Sequence, residues 1–231
     1  EKIPSEIASR AKLIWINYPN NPTGASVNVE FFEEVVDFAR KFNIIVCHDL
    51  AYSELSYDGY RAPSLLEVRG AKDIGIEFHS LSKTFCMTGW RIGFAVGNRH
   101  LISYLKEVKT NVDSGVFQAI QEAGIEALRR AEELVPSIRE VYRKRRDFFV
   151  KGLREIGWDI SLPRATFYLW IKVPAGYTSF EFAQMLLTKC GIVVTPGTGF
   201  GPSGEGYIRV ALTVGQERLK EALERLKKAL N

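Results

Sequence analysis

Cysteine is scarce in this chain, and no hydrophobic run is long. Only three of the 231 residues are cysteine, Cys47, Cys86 and Cys190, an odd number set far apart. That excludes a disulfide-stapled secreted scaffold and fits reduced thiols in a cytoplasmic protein. No CxxC or HxxxH pair accompanies Cys47-His48, or His79 with Cys86, so no metal site is expected. No apolar stretch approaches the roughly 20 residues needed to cross a bilayer, and the opening EKIPSEIASR lacks the apolar core of a signal peptide. No membrane partner is expected. Excess charge is also small, +4 from 31 Lys and Arg against 27 Asp and Glu, with the signs interspersed. This argues against a nucleic-acid partner. The densest basic run, Arg139 to Arg146, lies on a helical pattern with Ile138, Val141, Tyr142 and Phe149 and reads as a solvated helix face.

What is present is a chain with 46% hydrophobic residues, enough for one large core or two ordinary ones. Lys12 to Tyr18 reads as a strand that breaks at PNNPTG. Asn28 offers an N-cap, and Phe32, Val35, Val36, Ala39 and Phe42 recur at helical spacing. Asn43 to Asp49 is a second strand, of the type covered on both faces. Strand, helix and strand make a βαβ unit, whose crossover places the ends after Tyr18 and Asp49 side by side at the carboxyl edge of the sheet. Ligands bind at that edge in open α/β sheets.

The third strand, Gly75 to His79, leads into SLSK, and Ile92 to Val96 reads as a fourth. The segment between them is too short for a crossover helix, so these two strands are expected to be antiparallel or merely adjacent. Lys83 is expected to project from the strand end, with Arg91 on the next strand. Only a free amine attacks a carbonyl, so the surroundings of such a lysine must lower its pKa; burial and a nearby cation both do. Arg91 with Ser80 and Ser82 would also suit a phosphate, which makes a carbonyl-bearing phosphate ester the ligand to expect. Asp49, ending an apolar strand, needs a donor: a protonated ring nitrogen would serve, and so would the backbone of LAYSEL if Asp49 is an N-cap. Tyr52 and Asn21 could each donate to a ring oxygen.

Helices are expected from Arg99 to Asn111, Val116 to Arg130 and Glu133 to Ile156, with Pro136 in the first turn of the last. An α+β region follows: TFYLWIKV, a helix near Ser179 to Lys189, a short IVVT strand, YIRVAL, and a final helix with Leu219, Leu223, Leu226 and Leu230 as its buried stripe. Gly199 to Gly204 satisfies GxGxxG, but a strand follows where the dinucleotide fingerprint needs a helix, so a bent loop is expected. Arg209, between Ile208 and Val210, requires an anion, either a substrate carboxylate or an internal Asp or Glu.

NNPTG with Asn21, DLAY with Asp49 and Tyr52, SLSK with Lys83, GWRIG with Arg91 and YIRVAL with Arg209 together resemble the class I/II aminotransferases of pyridoxal phosphate fold type I. The HSLSKTFCMTGWRIGFAVGN run is most similar to LL-diaminopimelate aminotransferases and their aspartate and alanine relatives. The resemblance implies an α/β fold, a mainly parallel sheet covered by helices, with a smaller C-terminal α+β domain. Residues 1–130 would form the cofactor-binding domain and 131–231 the small one. The implied activity is transamination between an α-amino acid and a 2-oxo acid through a Schiff base of pyridoxal 5′-phosphate on Lys83, in a cytoplasmic homodimer. Asp49 would hold the pyridine nitrogen, Asn21 and Tyr52 the ring oxygen, Ser80, Ser82 and Arg91 the phosphate, and Arg209 with Asn21 the substrate carboxylate. Family members usually carry a substantial segment ahead of the NNPTG strand, and this chain starts close to it and without methionine, as expected of a sequence from which something upstream has been left out. A carbon–sulfur lyase on the same cofactor, and a non-catalytic folding or dimerisation module, are the alternatives.

Overall fold

The computed structural model describes residues 3–230, without the side chain of Leu230. The chain divides into two compact units: residues up to Pro19 with Ser26–Ile138, and Asn20–Ala25 with the residues from Arg139 onward.

In the first unit, β1 (Leu13–Asn17), β2 (Ile45–Asp49), β3 (Gly75–Ser80) and β4 (Gly93–Gly97) form one sheet in the order β1-β2-β3-β4. The first three strands are parallel, with Asn17 opposite Asp49 and Asp49 opposite Phe78, so their carboxyl ends share an edge. β4 runs antiparallel to β3 and enters at that edge, with Gly93 opposite Ser80. A side chain at Gly93 would put its Cβ 2.4 Å from the His79 carbonyl oxygen, so glycine lets the two strands close there.

What precedes β1 is a short helix, α1 (Ser5–Arg10), with Ala8 buried. α2 (Val29–Phe42) joins β1 to β2 and buries Phe32, Val35, Val36 and Ala39 beside Val46. Each such large side chain contributes roughly 1.5–3 kcal/mol. Asn28 occupies the N-cap position without a side-chain cap bond, and Asn43 ends the helix in the left-handed conformation, its N–H returning to the Ala39 carbonyl. α3 (Ala71–Ile74) leads into β3, and α4 (Leu81–Thr84) leaves it. On β1, Leu13 and Trp15 are exposed, so that strand is only half covered in this chain.

α5 (Arg99–Val112), α6 (Gln118–Arg129) and α7 (Ala131–Glu155) fall close to the expected helices. α7 starts earlier than expected, which puts Pro136 inside the helix instead of in its first turn. The division between the units passes through α7, after Ile138.

The second unit contains an antiparallel sheet of β5 (Tyr168–Lys172), β6 (Thr195–Pro196) and β7 (Tyr207–Ala211) in the order β5-β7-β6. α8 (Ser179–Cys190) starts with a Thr178/Glu181 capping box and ends at Gly191 in the left-handed conformation. α9 (Gln216–Leu230) buries Leu219, Leu223 and Leu226; the side chain of Leu230 lies outside the described part. At Gly152 of α7 a Cβ would stand 2.3 Å from a methyl of Leu223, so glycine permits that approach.

Two expectations fail here. Of the IVVT run only Thr195 is in a strand, because β6 pairs with β7 at Thr195 and Pro196 alone. The basic run of α7 is not simply a solvated face. Arg146 is 1% exposed, donates to the Pro163 carbonyl at 2.9 Å and to Asp147 Oδ1 at 2.6 Å, while Arg145 reaches the Leu212 carbonyl at 3.2 Å.

Candidate active site

Six of the eight residues singled out lie in the first unit, around the carboxyl edge of its sheet. Asp49 is the last residue of β2 and half-buried. Its Oδ1 accepts the Ala51 N–H at 3.1 Å, and its own carbonyl accepts from Asn17 Nδ2 at 2.9 Å. The carboxylate thus caps the turn that begins LAYSEL, as the N-cap alternative has it, although no helix follows directly. Tyr52 is buried in the turn beyond it.

Lys83 does not project from the end of a strand. β3 ends at Ser80, and Lys83 sits in the single helical turn α4, which Ser80 caps by accepting the Ser82 N–H at 3.3 Å. Nor is Arg91 on a strand: it follows a 3-10 turn (Thr88–Trp90) in left-handed backbone, two residues ahead of β4. The physical reason is the same for both, since the β3–β4 ladder stops at the Ser80–Gly93 pair and the chain must then turn. The two flanks remain fastened to each other. Leu81 N–H donates to the Ile92 carbonyl at 3.2 Å, Thr88 Oγ1 to the Ser82 carbonyl at 3.1 Å, and Arg91 Nη1 to the Thr88 carbonyl at 3.0 Å.

Burial and the Arg91 guanidinium push the Lys83 amine below its ordinary range, with Asp49 opposing. A half-buried lysine between a carboxylate and an arginine is the setting that makes an amine available as a nucleophile. Ser82 is buried, and a serine oxygen that accepts one bond, as at Ser80, keeps its own hydrogen to donate. A guanidinium, two hydroxyls, a lysine and a carboxylate at one sheet edge fit the phosphate, the aldehyde and the ring nitrogen of pyridoxal 5′-phosphate.

The other two residues lie in the second unit. Arg209, on β7, donates from Nη1 to Asn21 Oδ1 at 2.7 Å and packs over the rings of Tyr168 and Phe200 at 4.4 and 4.6 Å. Its Nε is buried without a partner. Gly199 to Gly204 forms two 3-10 turns leading into β7, as the bent loop was expected to.

Sequence reasoning missed a buried polar network beneath this edge. His48 on β2 is directly opposite Glu77 on β3, with His48 Nδ1 3.0 Å from Glu77 Oε2. Glu77 also accepts from Ser64 Oγ at 2.8 Å and the Leu65 N–H at 2.7 Å. The available signal was a charged residue in the middle of the apolar run GIEFH, which requires a buried partner. All three cysteines are free, and among the described residues no group of three His, Cys, Asp or Glu could hold a metal ion. No helix of the described residues is long and apolar enough to cross a membrane.

A mostly parallel sheet with a lysine turn at its carboxyl edge, accompanied by a small antiparallel sheet, is the architecture of the fold type I pyridoxal-phosphate-dependent transferases. The chain belongs to the class I and II aminotransferases, whose family model matches residues 1–226. It is 60% identical over 227 residues to LL-diaminopimelate aminotransferase 2 of Nostoc sp. and 56% identical over 228 residues to the LL-diaminopimelate aminotransferase of Moorella thermoacetica. Those alignments cover 98% and 99% of this chain and 58% of each relative, so the chain spans less than two thirds of their length. Among solved structures, substrate-bound BacF from Bacillus subtilis superposes with a TM-score of 0.95 at 40% identity, covering all of this chain and 58% of that one. A probable N-succinyldiaminopimelate aminotransferase from Thermus thermophilus gives 0.92 at 38% identity, covering 98% and 61%.

Proposed function

We propose that this chain carries the catalytic lysine of an aminotransferase that exchanges an amino group between an α-amino acid and a 2-oxo acid. The observation that carries this is the setting of Lys83, half-buried, lowered in pKa by burial and Arg91, and countered by Asp49. Pyridoxal 5′-phosphate, when bound, supplies an aldehyde carbon and an electron-accepting ring that stabilises negative charge on the amino acid's α-carbon.

The chain's own residues do the rest. Lys83 Nζ serves as nucleophile and then carries the proton taken from the α-carbon. Asp49 keeps a proton on the pyridine nitrogen. Tyr52 and Asn21 donate to the ring oxygen, and Ser80, Ser82 and Arg91 hold the phosphate. Arg209 takes the substrate α-carboxylate, assisted by Asn21; a planar guanidinium with an unpaired buried N–H suits a carboxylate. In this reading residues 1–130 form the cofactor-binding domain and 131–231 the small domain.

For substrate we favour LL-diaminopimelate with 2-oxoglutarate, with aspartate as the other donor to test. Relatives that are 54 to 60% identical and bear that enzyme's name support the choice. We also place the protein in the cytoplasm as a homodimer; the free cysteines and the family resemblance support this. The direct test is to add pyridoxal phosphate to the intact protein, reduce with borohydride and map the labelled peptide. Label on Lys83 is expected, and label elsewhere or nowhere overturns the reading. Analysis of products from several amino donors separates transamination, which yields a 2-oxo acid and a new amino acid, from carbon–sulfur cleavage.

A further inference from the structure

His48, the residue before Asp49, has no part in the reaction just described, yet it is fully buried and both of its ring nitrogens face acceptors. Nε2 lies 3.0 Å from the Tyr18 carbonyl oxygen and Nδ1 lies 3.0 Å from Glu77 Oε2. A carbonyl oxygen carries no proton, so Nε2 must donate to it. Glu77 is surrounded by donors: Ser64 Oγ, the Leu65 N–H and, 3.4 Å away, His79 Nε2. Burial pushes its carboxyl up, but the bonds from His48, His79 and Ser64 outweigh burial and hold it at about 2. Facing a carboxylate that already accepts from Ser64 Oγ and the Leu65 N–H, Nδ1 is placed to donate as well. The remaining neighbours do not compete for these protons. Phe32 of α2 packs on the ring at 4.8 Å, and strand alternation puts the side chains of Cys47 and Asp49 on the opposite face of the sheet.

We propose that His48 is a buried imidazolium that acts as a positioning residue for the sheet edge bearing Asp49 and Lys83. One N–H fixes the Tyr18 carbonyl, just before the chain leaves this unit at Pro19, and the other fixes β3 through Glu77. Asn17 Nδ2 reinforces the clamp by donating to the Asp49 carbonyl at 2.9 Å and to the Pro19 carbonyl at 3.4 Å. β1, β2 and β3 are thereby locked in register immediately below the catalytic carboxylate. Loss of the Nε2 proton takes from the Tyr18 carbonyl its donor on the buried ring, and loss of the Nδ1 proton takes from Glu77 one of several. The kinetic consequence rests on the aminotransferase reading; the charge of the ring does not.

The test uses the intact protein labelled with 15N at histidine, the His48 signals being those lost in His48→Asn. Both nitrogens are expected at imidazolium shifts in neutral buffer. One protonated and one far-downfield nitrogen, the neutral pattern, overturns the proposal. In Glu77→Gln the ring is expected to turn neutral, with kcat lower by about tenfold or more and KM changed by less than about threefold. A variant that loses thermal stability but keeps its kcat shows His48 to be merely structural and overturns the positioning role. Should Glu77→Gln not fold, Glu77→Asp is measured for the same split, with kcat about threefold lower or more and KM unchanged; unchanged kcat again overturns it. An imidazolium pattern in a protein without aminotransferase activity supports the charge assignment and sinks the functional reading instead.

Discussion

Arg209 Nη1 donates to Asn21 Oδ1 across 2.7 Å, joining the last strand of the chain to the NNPTG turn near its start. The guanidinium packs against the rings of both Tyr168 and Phe200, which restricts its orientation before any ligand arrives. Lysine at this position keeps the charge but loses the fork and the stacking. Arg209→Lys is therefore expected to lower kcat/KM for the amino acid substrate by about a hundredfold, mostly through KM. Steady-state kinetics of the intact enzyme measure this. A change below about threefold would remove Arg209 from carboxylate binding.

Lys83 titrates under two opposed influences that can be removed separately. Arg91 disfavours its charged form and Asp49 favours it. Removing the guanidinium in Arg91→Met is expected to raise the amine's pKa, and removing the carboxylate's charge in Asp49→Asn to lower it further. The pH dependence of Lys83 labelling by an amine-reactive reagent in the cofactor-free protein reads both shifts. Displacement in the same direction in the two variants would contradict the arrangement.

The strand order of the first unit was legible because each strand is a short apolar run with a polar terminus, and the termini of the first three share one edge. The site residues were legible by type, since Asp49, Lys83 and Arg91 are charges set at the ends of apolar runs. Their backbone was not. Where a ladder stops is fixed by cross-strand pairing, so Lys83 and Arg91 went to strands that had already turned. The partners of Glu77 and Arg146 were unreadable for a related reason. A buried charge is identified by its partner, and register brings His48 opposite Glu77, while tertiary packing brings Pro163 to Arg146.

The Glu77 carboxyl gives the fold a predictable acid limit. Its pKa is lowered from an ordinary 4.5 to about 2 by hydrogen bonds that overcome its burial. A depressed carboxylate pKa contributes stability that is fully present above the unfolded value and is lost as pH falls toward the folded one. Unfolding free energy is therefore expected to decline from about pH 4.5 toward about pH 2, and less steeply in Glu77→Gln, which is destabilised at neutral pH from the outset. Denaturant titrations at a series of pH values check this; parallel acid curves for the two proteins would contradict it.

Two neighbouring cations on α7 should respond to truncation very differently. Arg146 is enclosed and donates to both the Pro163 carbonyl and Asp147, whereas Lys144 is 66% exposed and lies 3.6 Å from Glu140. Arg146→Leu keeps apolar volume but leaves the Pro163 carbonyl without that donor in the interior. A loss of about 2–3 kcal/mol is expected. Lys144→Ala breaks only a solvated pair and should stay within about 0.5 kcal/mol of the parent. Urea denaturation of the two variants measures the contrast. Equal stabilities would mean that Arg146 is enclosed without contributing to the packing of α7, contrary to what its hydrogen bonds to Pro163 and Asp147 require.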